Sequence, residues 1–404
     1  MEKNARDKNI AKSQSVMVQR TMTFKHLVLA SFLAVLAQTN PAWAQLPTAG
    51  GFAAVPDEWL LGTGQRWHHK TAPSNDPRTI SELAPTQAEA ALVIRAKKML
   101  ENGSARALLL ANGRDVIWNG FAAPANPDSL FLSMSVGKTV TAMAVGQAIC
   151  AGHLALDTKA ETLLPELKGK DLGAATVHDL LRMSSGTWTG HSDSTILTNA
   201  QRSDLSTGSL NLVQMLESDL VSSAETKFFG EKIKPGEVFA YRSTDPLVLG
   251  VMIARSTGVT YANWVERFVL MPAGVAFGGI IGQDRLGYGQ ADGNVRLRIS
   301  DWLRFATWVK ERETSAGCFG DFVRKAVHKQ IANHKKTSGQ SFDGYGYFIW
   351  TDNFLSPDSY WAVGHGGQRI GWNHRNGRIL VLFSGREDFM HDVYRLYADW
   401  SALP

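Results

Sequence analysis

The sequence predicts an α+β fold, an α/β sandwich in which one antiparallel sheet is assembled from both ends of the chain and flanked by helices. Strand-like runs cluster near residue 110 and again beyond residue 340. Helical patterns fill the stretch between, which reads as a mostly helical insertion at about 155–335. Each strand cluster also holds an Asn-Gly dipeptide, Asn112-Gly113 and Asn376-Gly377, a pair that favours a tight hairpin because both residues tolerate positive φ.

Taken in order, residues 45–84 are rich in Pro, Gly, His and polar side chains and read as an irregular arm, with His68-His69 a surface pair. Thr86–Asn102 is an amphipathic helix stopped by Gly103. Ala107–Ala111 and Asp115–Trp118 flank the first Asn-Gly turn as strands. Phe131–Gly152 (FLSMSVGKTVTAMAVGQAICAG) follows. Its helix, from about Ser135 to Ala151, is polar in the first turn and apolar nearly all round after it, so it should be buried. Thr176–Met183 is a helix with Thr176 as its cap. Residues 187–235 are polar and read as loop or short helix. Pro235-Gly236-Glu237 turns the chain into Phe239–Ser243, and Asp245–Ser256 is a helix ended near Gly258. Tyr261–Leu270 and Ser300–Glu313 are helices, the second capped by Ser300, with a Gly-rich loop, Gly274–Gly293, between them. Tyr345–Trp350, Tyr360–Val363, Ile370–Trp372 and Ile379–Ser384 read as strands, and Phe389–Ala402 closes as an amphipathic helix. Residues 85–404 therefore make one domain with an inserted helical region.

Composition narrows the function classes. Of 404 residues, 44% are hydrophobic and 20% charged, which suits a globular enzyme with a large core. The formal net charge is +5, but six basic against two acidic residues fall within the first 44 positions, leaving 36 against 35 in the rest. The basic bias belongs to the leader, and no electrostatic case for nucleic acid remains. That leader resembles a secretory signal: Lys25-His26, an apolar run Leu27–Ala37, then Ala42-Trp43-Ala44, with cleavage expected after Ala44. Met17 and Met22 are alternative starts. The run is too short to span a bilayer, so the mature chain is expected to be soluble in the periplasm or outside the cell, with no membrane partner. Two cysteines, Cys150 and Cys318, make neither a disulfide framework nor a zinc site. Cys150 reads as a small buried apolar residue on the central helix; a single Cys150–Cys318 bridge is open to it in an oxidising compartment, though the spacing itself does not argue for one. There is no metal-ligand spacing, no cofactor motif and no signal for an oligomeric state.

Chemistry concentrates at Ser135-Val-Gly-Lys138. Residues three apart share a helix face, so hydroxyl and amine can meet. Three rival motifs fail. Val136-Gly137-Lys138-Thr139 ends like a P-loop, but the required glycine five positions before Gly137 is Leu132. No Gly-x-Ser-x-Gly elbow exists, and His365-Gly366-Gly367 lies after the candidate nucleophile, not before it as a lipase oxyanion strip would. What remains is Ser135 and Lys138 with two distant segments, Tyr241-Arg242-Ser243 and Gly364-His365-Gly366-Gly367-Gln368, whose glycines would let a strand backbone approach a ligand.

These three elements, in this order, resemble the Ser-x-x-Lys, Tyr-x-Asn/Ser and Lys/His-x-Gly motifs of the class C β-lactamase and DD-peptidase superfamily of serine hydrolases. TVHDLLRMSSGT (176–187), PGEVFAYRS (235–243) and GHGGQRI (364–370) match as well, and the resemblance spans roughly residues 85–400. Within that superfamily the chain is most similar to 6-aminohexanoate-dimer hydrolases and related esterases. The resemblance implies a β-lactamase/transpeptidase-like fold and an acyl-enzyme on Ser135. By the same resemblance Lys138 would take the serine proton and Tyr241 would pass it to the leaving group. The N–H groups of Ser135 and Gln368 form the oxyanion site, and Gly367, His365 and Ser243 border the substrate. True β-lactamases carry Asn and Lys where this chain has Ser243 and His365, which points to a small, less anionic amide or ester substrate. Arg369 could restore a carboxylate contact, which leaves that point open. The alternatives are a β-lactamase or DD-carboxypeptidase and, in another class, a binding protein on the same fold.

Overall fold

In the computed structural model, strands gather at the two ends of the chain and helices between them, as the sequence predicts. The structure describes residues 55–62, 66–187, 205, 207–218, 227–228, 231–334 and 339–403. The chain divides into Met1–Leu46 and Pro47–Pro404, and every described residue belongs to the second unit. The leader and most of the 187–235 loop lie outside the described residues.

In chain order the strands are β1 (His68–Thr71), β2 (Ser81–Glu82), β3 (Ala107–Asn112), β4 (Asp115–Phe121), β5 (Phe131–Leu132), β6 (Lys227–Phe228), β7 (Glu231–Lys232), β8 (Gly279–Gly282) and β9 (Val295–Leu297). They continue with β10 (Ile331–Ala332), β11 (Phe342–Tyr345), β12 (Trp350–Asn353), β13 (Ser356–Gly364), β14 (Gln368–Asn373) and β15 (Arg378–Phe383). The principal helices are α1 (Gln87–Glu101), α2 (Gly137–Cys150), α3 (Val177–Leu181), α4 (Thr244–Thr257), α5 (Tyr261–Val265), α6 (Ile299–Glu313), α7 (Cys318–Val327) and α8 (Met390–Ser401).

The main sheet runs β10-β11-β12-β13-β14-β15-β3-β4-β2 and is antiparallel except for the short β2–β4 edge pair. The two chain ends meet where β3 pairs β15, from Asn112 opposite Arg378 to Ala107 opposite Phe383. Both strands are continuous apolar runs because both faces are covered. Successive side chains take opposite faces. On β13, Tyr360 bonds Glu313 of α6, whereas Trp361 packs edge-on against Tyr394 and Tyr397 of α8. The sheet is thus sandwiched, with α8 on one side and α6 on the other. Fully burying one such large apolar side chain stabilises the fold by ~1.5–3 kcal/mol.

Local signals read from the sequence set several boundaries. Thr86 accepts from Glu89 N and Glu89 reaches back to Thr86 N, a capping box that starts α1. Thr176 and Asp179 do the same for α3. Gly113 turns the β3–β4 hairpin at φ 58.

The structure corrects other expectations. The stretch Tyr345–Trp350 is not a strand: it ends β11, turns through Phe348 at φ 54, and begins β12. Ser300 lies inside α6, whose N-cap is Arg298, and the Asp301 carboxylate accepts from Ala276 N and Phe277 N. The Gly-rich loop contains β8, and β9 follows it directly. With β1 and β5 they form a second sheet, β1-β8-β9-β5, so the inserted region is not only helical. The arm supplies β1, and His69 is not a free surface residue: its Nε2 contacts Glu266 Oε2 at 2.5 Å. Cys150 and Cys318 are bonded, with Cα atoms 5.7 Å apart, joining the end of α2 to the start of α7. Cys150 is half-buried because the fully buried part of α2 ends at Ala148. Among the described residues no helix is long and apolar enough to cross a membrane.

Candidate active site

Strand β5 delivers the chain into a tight 3-10 turn, Met134–Val136, that runs directly into α2. Met134 adopts φ 45, a left-handed conformation that costs a non-glycine residue ~1–3 kcal/mol and recurs at functional turns. The turn presents Ser135, half-buried, at the N-terminal end of α2. Lys138, one turn on, is 1% exposed, and its Nζ donates to Ser135 Oγ at 2.7 Å and to Asp292 O at 2.7 Å. The pairing expected from the i, i+3 spacing is therefore present.

The loop before β9 holds this turn from the other side. Ser133 Oγ donates to Gly293 O at 2.8 Å and accepts from Val295 N at 3.1 Å, while Ser133 N donates to Val295 O at 2.8 Å. Thr141 of α2 donates to Ala291 O at 2.6 Å and meets Tyr261 Oη at 2.6 Å. Burial pushes the Tyr261 hydroxyl far above its ordinary range, so it stays neutral. Gly293 leaves no room for a side chain: a Cβ there would stand 2.4 Å from Met134 O. Asp292, Gly293 and Ser133 escaped the sequence reading. For Asp292 and Gly293 the only signal was glycine density in a stretch read as loop, and Ser133 stands two residues before Ser135 with no motif to mark it.

Tyr241 enters from the segment before α4. Its ring centroid is 5.2 Å from Lys138 Nζ. It stacks on Trp350 (5.3 Å, 25°) and meets Tyr345 edge-on (6.2 Å, 86°). The structure thus brings Tyr241 beside Lys138 by its ring, and among the described residues its hydroxyl makes no hydrogen bond to Ser135 or Lys138. Trp350 was read as the end of a strand, with no hint that it buttresses Tyr241.

Behind Tyr241 lies a buried pair. Arg242 Nη1 donates to Thr187 Oγ1 at 2.6 Å, and Arg242 Nε stands 3.8 Å from Asp245 Oδ1, which accepts from Ser185 Oγ at 2.7 Å. Burial pushes Asp245 up to about 6 and Arg242 down to about 10, their mutual attraction only partly offsetting the lost hydration. Ser243 sits at the N-cap of α4, buried, and its hydroxyl does not cap the helix.

The third segment is the β13–β14 turn. Gly364 pairs Gln368, and a Cβ on Gly364 would lie 2.7 Å from Ser133 O and 3.1 Å from Met134 Cβ, so this strand end packs directly on the serine turn. Gln368 is fully buried and opens β14, with Gly367 immediately before it. Gly367 N donates to Glu387 Oε1 at 3.3 Å. The His365 side chain is 44% exposed, with Nδ1 3.9 Å from Glu387 Oε1, so its recorded partner is a carboxylate and not the Ser135–Lys138 pair. Arg369 does not face the cleft. Its side chain is buried against α8, where Nε donates to Tyr394 Oη at 3.0 Å.

Comparisons with known proteins give the family and the fold. The sequence model described as Beta-lactamase matches residues 97–403. Penicillin-binding protein 4* of Bacillus subtilis (strain 168) is 23% identical over 344 residues, covering 70% of this chain and 68% of that protein. A Bacillus anthracis structure described as a candidate 6-aminohexanoate-dimer hydrolase superposes with a TM-score of 0.64 at 16% identity, covering 88% of this chain and 97% of the other. EstCE1, a hydrolase with promiscuous acyltransferase activity, gives 0.61 at 16% identity, covering 78% and 99%. The two structural likenesses establish the fold.

Proposed function

The chain belongs to the Beta-lactamase family, and from that membership we propose that it is a serine hydrolase cleaving amide or ester bonds through an acyl-enzyme on Ser135. The observation that carries the reading is the 2.7 Å contact between Ser135 Oγ and the buried Lys138 Nζ. In the proposed cycle, unprotonated Lys138 takes the Ser135 proton as Oγ bonds to the carbonyl carbon. The carbonyl oxygen becomes an oxyanion between the N–H groups of Ser135 and Gln368, each such donor being worth ~3–4 kcal/mol in the transition state. The proton then passes by way of Tyr241 to the departing amine or alkoxide as the carbonyl–heteroatom bond breaks. Water repeats the sequence, frees the acid and restores Ser135.

The residues at the mouth favour a neutral or weakly charged acyl donor. His365 stands beside a carboxylate, Ser243 is buried, and Arg369 is turned behind the sheet. This supports an amidase or esterase of the 6-aminohexanoate-dimer hydrolase type over a β-lactamase or DD-carboxypeptidase. The apolar leader and the Cys150–Cys318 bond support export to an oxidising compartment, periplasm or exterior.

Purified protein should give a burst of nitrophenol from p-nitrophenyl acetate that Ser135→Ala abolishes, with an acyl adduct on Ser135 by mass spectrometry. Lys138→Met should lower kcat by ~10²–10⁴-fold. Wild-type activity surviving in Lys138→Met would remove lysine as the base. Side-by-side assay on nitrocefin, a D-Ala-D-Ala peptide, short esters and the linear 6-aminohexanoate dimer ranks the substrates. Dominant nitrocefin or peptide turnover would replace the amidase/esterase reading, and no turnover on any of them would favour a binding protein.

A further inference from the structure

We propose that Arg369 is a positioning residue that, from behind the sheet, fixes the strand end whose Gln368 N–H serves as an oxyanion donor. The inference rests on the oxyanion role proposed above.

Side chains alternate along β14. Gly364, the partner of Gln368, meets the Met134 turn, while Arg369, one residue on and opposite Val363, emerges on the face covered by α8. Its guanidinium is spent on backbone. Nη1 donates to Gly364 O at 2.7 Å and to Gln368 O at 2.9 Å. These carbonyls belong to the two strands at the base of the His365–Gly367 turn, so one planar group ties both strands at the level of the donor. The Gln368 side chain fastens the turn from inside: Nε2 donates to His365 O at 2.8 Å and to Ser384 O at 2.9 Å, and Oε1 accepts from Ser384 N at 3.0 Å. Gly366 and Gly367, at φ 75 and 94, give the turn the shape it needs but no stiffness of its own. The two side chains supply that stiffness.

The use of arginine here is informative. A buried guanidinium is costly to desolvate, and an apolar residue of similar volume would fill the space at lower cost. None of the ion pairs among the described residues includes Arg369; its partners are two carbonyls and a phenol. Burial works against its charge, yet Tyr394, Glu387 and, more weakly, Tyr241 together more than offset this and hold it above the ordinary arginine range. A fixed positive charge behind the Gln368 peptide also favours negative charge growing at that N–H.

The test is the rate at which a fluorophosphonate ester phosphonylates Ser135, which reads nucleophile and oxyanion site without substrate specificity. It is measured beside kcat and KM on p-nitrophenyl acetate and the melting temperature. Arg369→Met should slow phosphonylation and kcat together by ~10–100-fold, with KM within about twofold. Arg369→Lys keeps the charge but not the planar bridge and should recover part of that loss. Tyr394→Phe leaves the guanidinium in place and should cost about threefold or less. If Arg369→Met does not fold, Arg369→Lys carries the test, with an expected slowing of at least about threefold. Unchanged phosphonylation in a folded variant that only melts earlier, or a loss confined to KM, would overturn the proposal. Failure of wild-type Ser135 to react at all would instead overturn the acyl-enzyme reading, and the proposal with it.

Discussion

Replacing Gly293 by alanine tests how the serine turn is held. The new Cβ would stand 2.4 Å from Met134 O, 2.6 Å from Met134 C and 3.1 Å from Ser135 N, whereas real Cβ contacts essentially never fall below 3.0 Å. Loop and turn must therefore separate by at least about 0.6 Å, the difference between 3.0 and 2.4 Å. Neither side yields freely, since the obstructing atoms are backbone and Ser133 ties Gly293 O to the same turn. The movement falls on Ser135 and on Asp292 O, the second acceptor of Lys138. A misplacement near 1 Å costs ~10²-fold in rate, so Gly293→Ala should lower kcat by ~30–100-fold. Overpacking should also remove ~1–3 kcal/mol of stability. The assay is kcat on p-nitrophenyl acetate together with the phosphonylation rate of Ser135, well below the melting temperature of the variant. Rates within threefold of wild type would show that the loop does not set the position of the nucleophile.

Reducing the Cys150–Cys318 bond, or replacing Cys318 by serine, should lower the melting temperature. The cysteines are 168 residues apart, for which chain entropy sets a ceiling of about 5 kcal/mol. The bond lies at the far end of α2, ~20 Å from Ser135 at 1.5 Å per residue, so kcat at 25 °C should hold; a large loss of kcat without a melting shift would contradict this. The second prediction concerns pH. Burial pushes Asp245 up to about 6 from 3.8, so the folded protein holds that proton more tightly than the unfolded chain. The associated stability is present below pH ~4 and is lost as pH rises to about 6. Asp245→Asn lacks this slope. The melting temperature of wild type minus that of the variant should fall between pH 4 and 6 and level above 6; a flat difference across 4–6 would mean that Asp245 ionises alike in both states.

The cap at Thr176 and the buried helix after Lys138 were legible because their causes are local, a short polar side chain before an apolar turn and a continuous apolar run, whereas the cap read at Ser300 failed because α6 already begins at Ile299. The pairing of Ser135 with Lys138 was legible because three residues make most of a helical turn. What was not legible depends on contacts between distant segments. Glycine density around 274–293 reads as loop, yet β8 forms there because β1 and β9 supply partners from outside that stretch. Tyr345–Trp350 has the aromatic composition of a strand, but packing of Phe239 and Tyr241 against Tyr345 and Trp350 rewards a turn. Arg369 follows three residues that border the cleft, and only the alternation of β14, fixed by its register with β13, sends it to the opposite face.

The pairing of β3 with β15 has a consequence for synthesis. Asn112 waits for Arg378, and Ser135 waits for the strand that carries Gln368. Contacts of such sequence separation form late and slowly. On the proposed mechanism, a chain still emerging from a ribosome holds Ser135 and Lys138 but lacks the second oxyanion donor, the Gln368 N–H. Under that mechanism the full oxyanion site is completed only when the last strands arrive, so activity would follow, not precede, closure of the sheet.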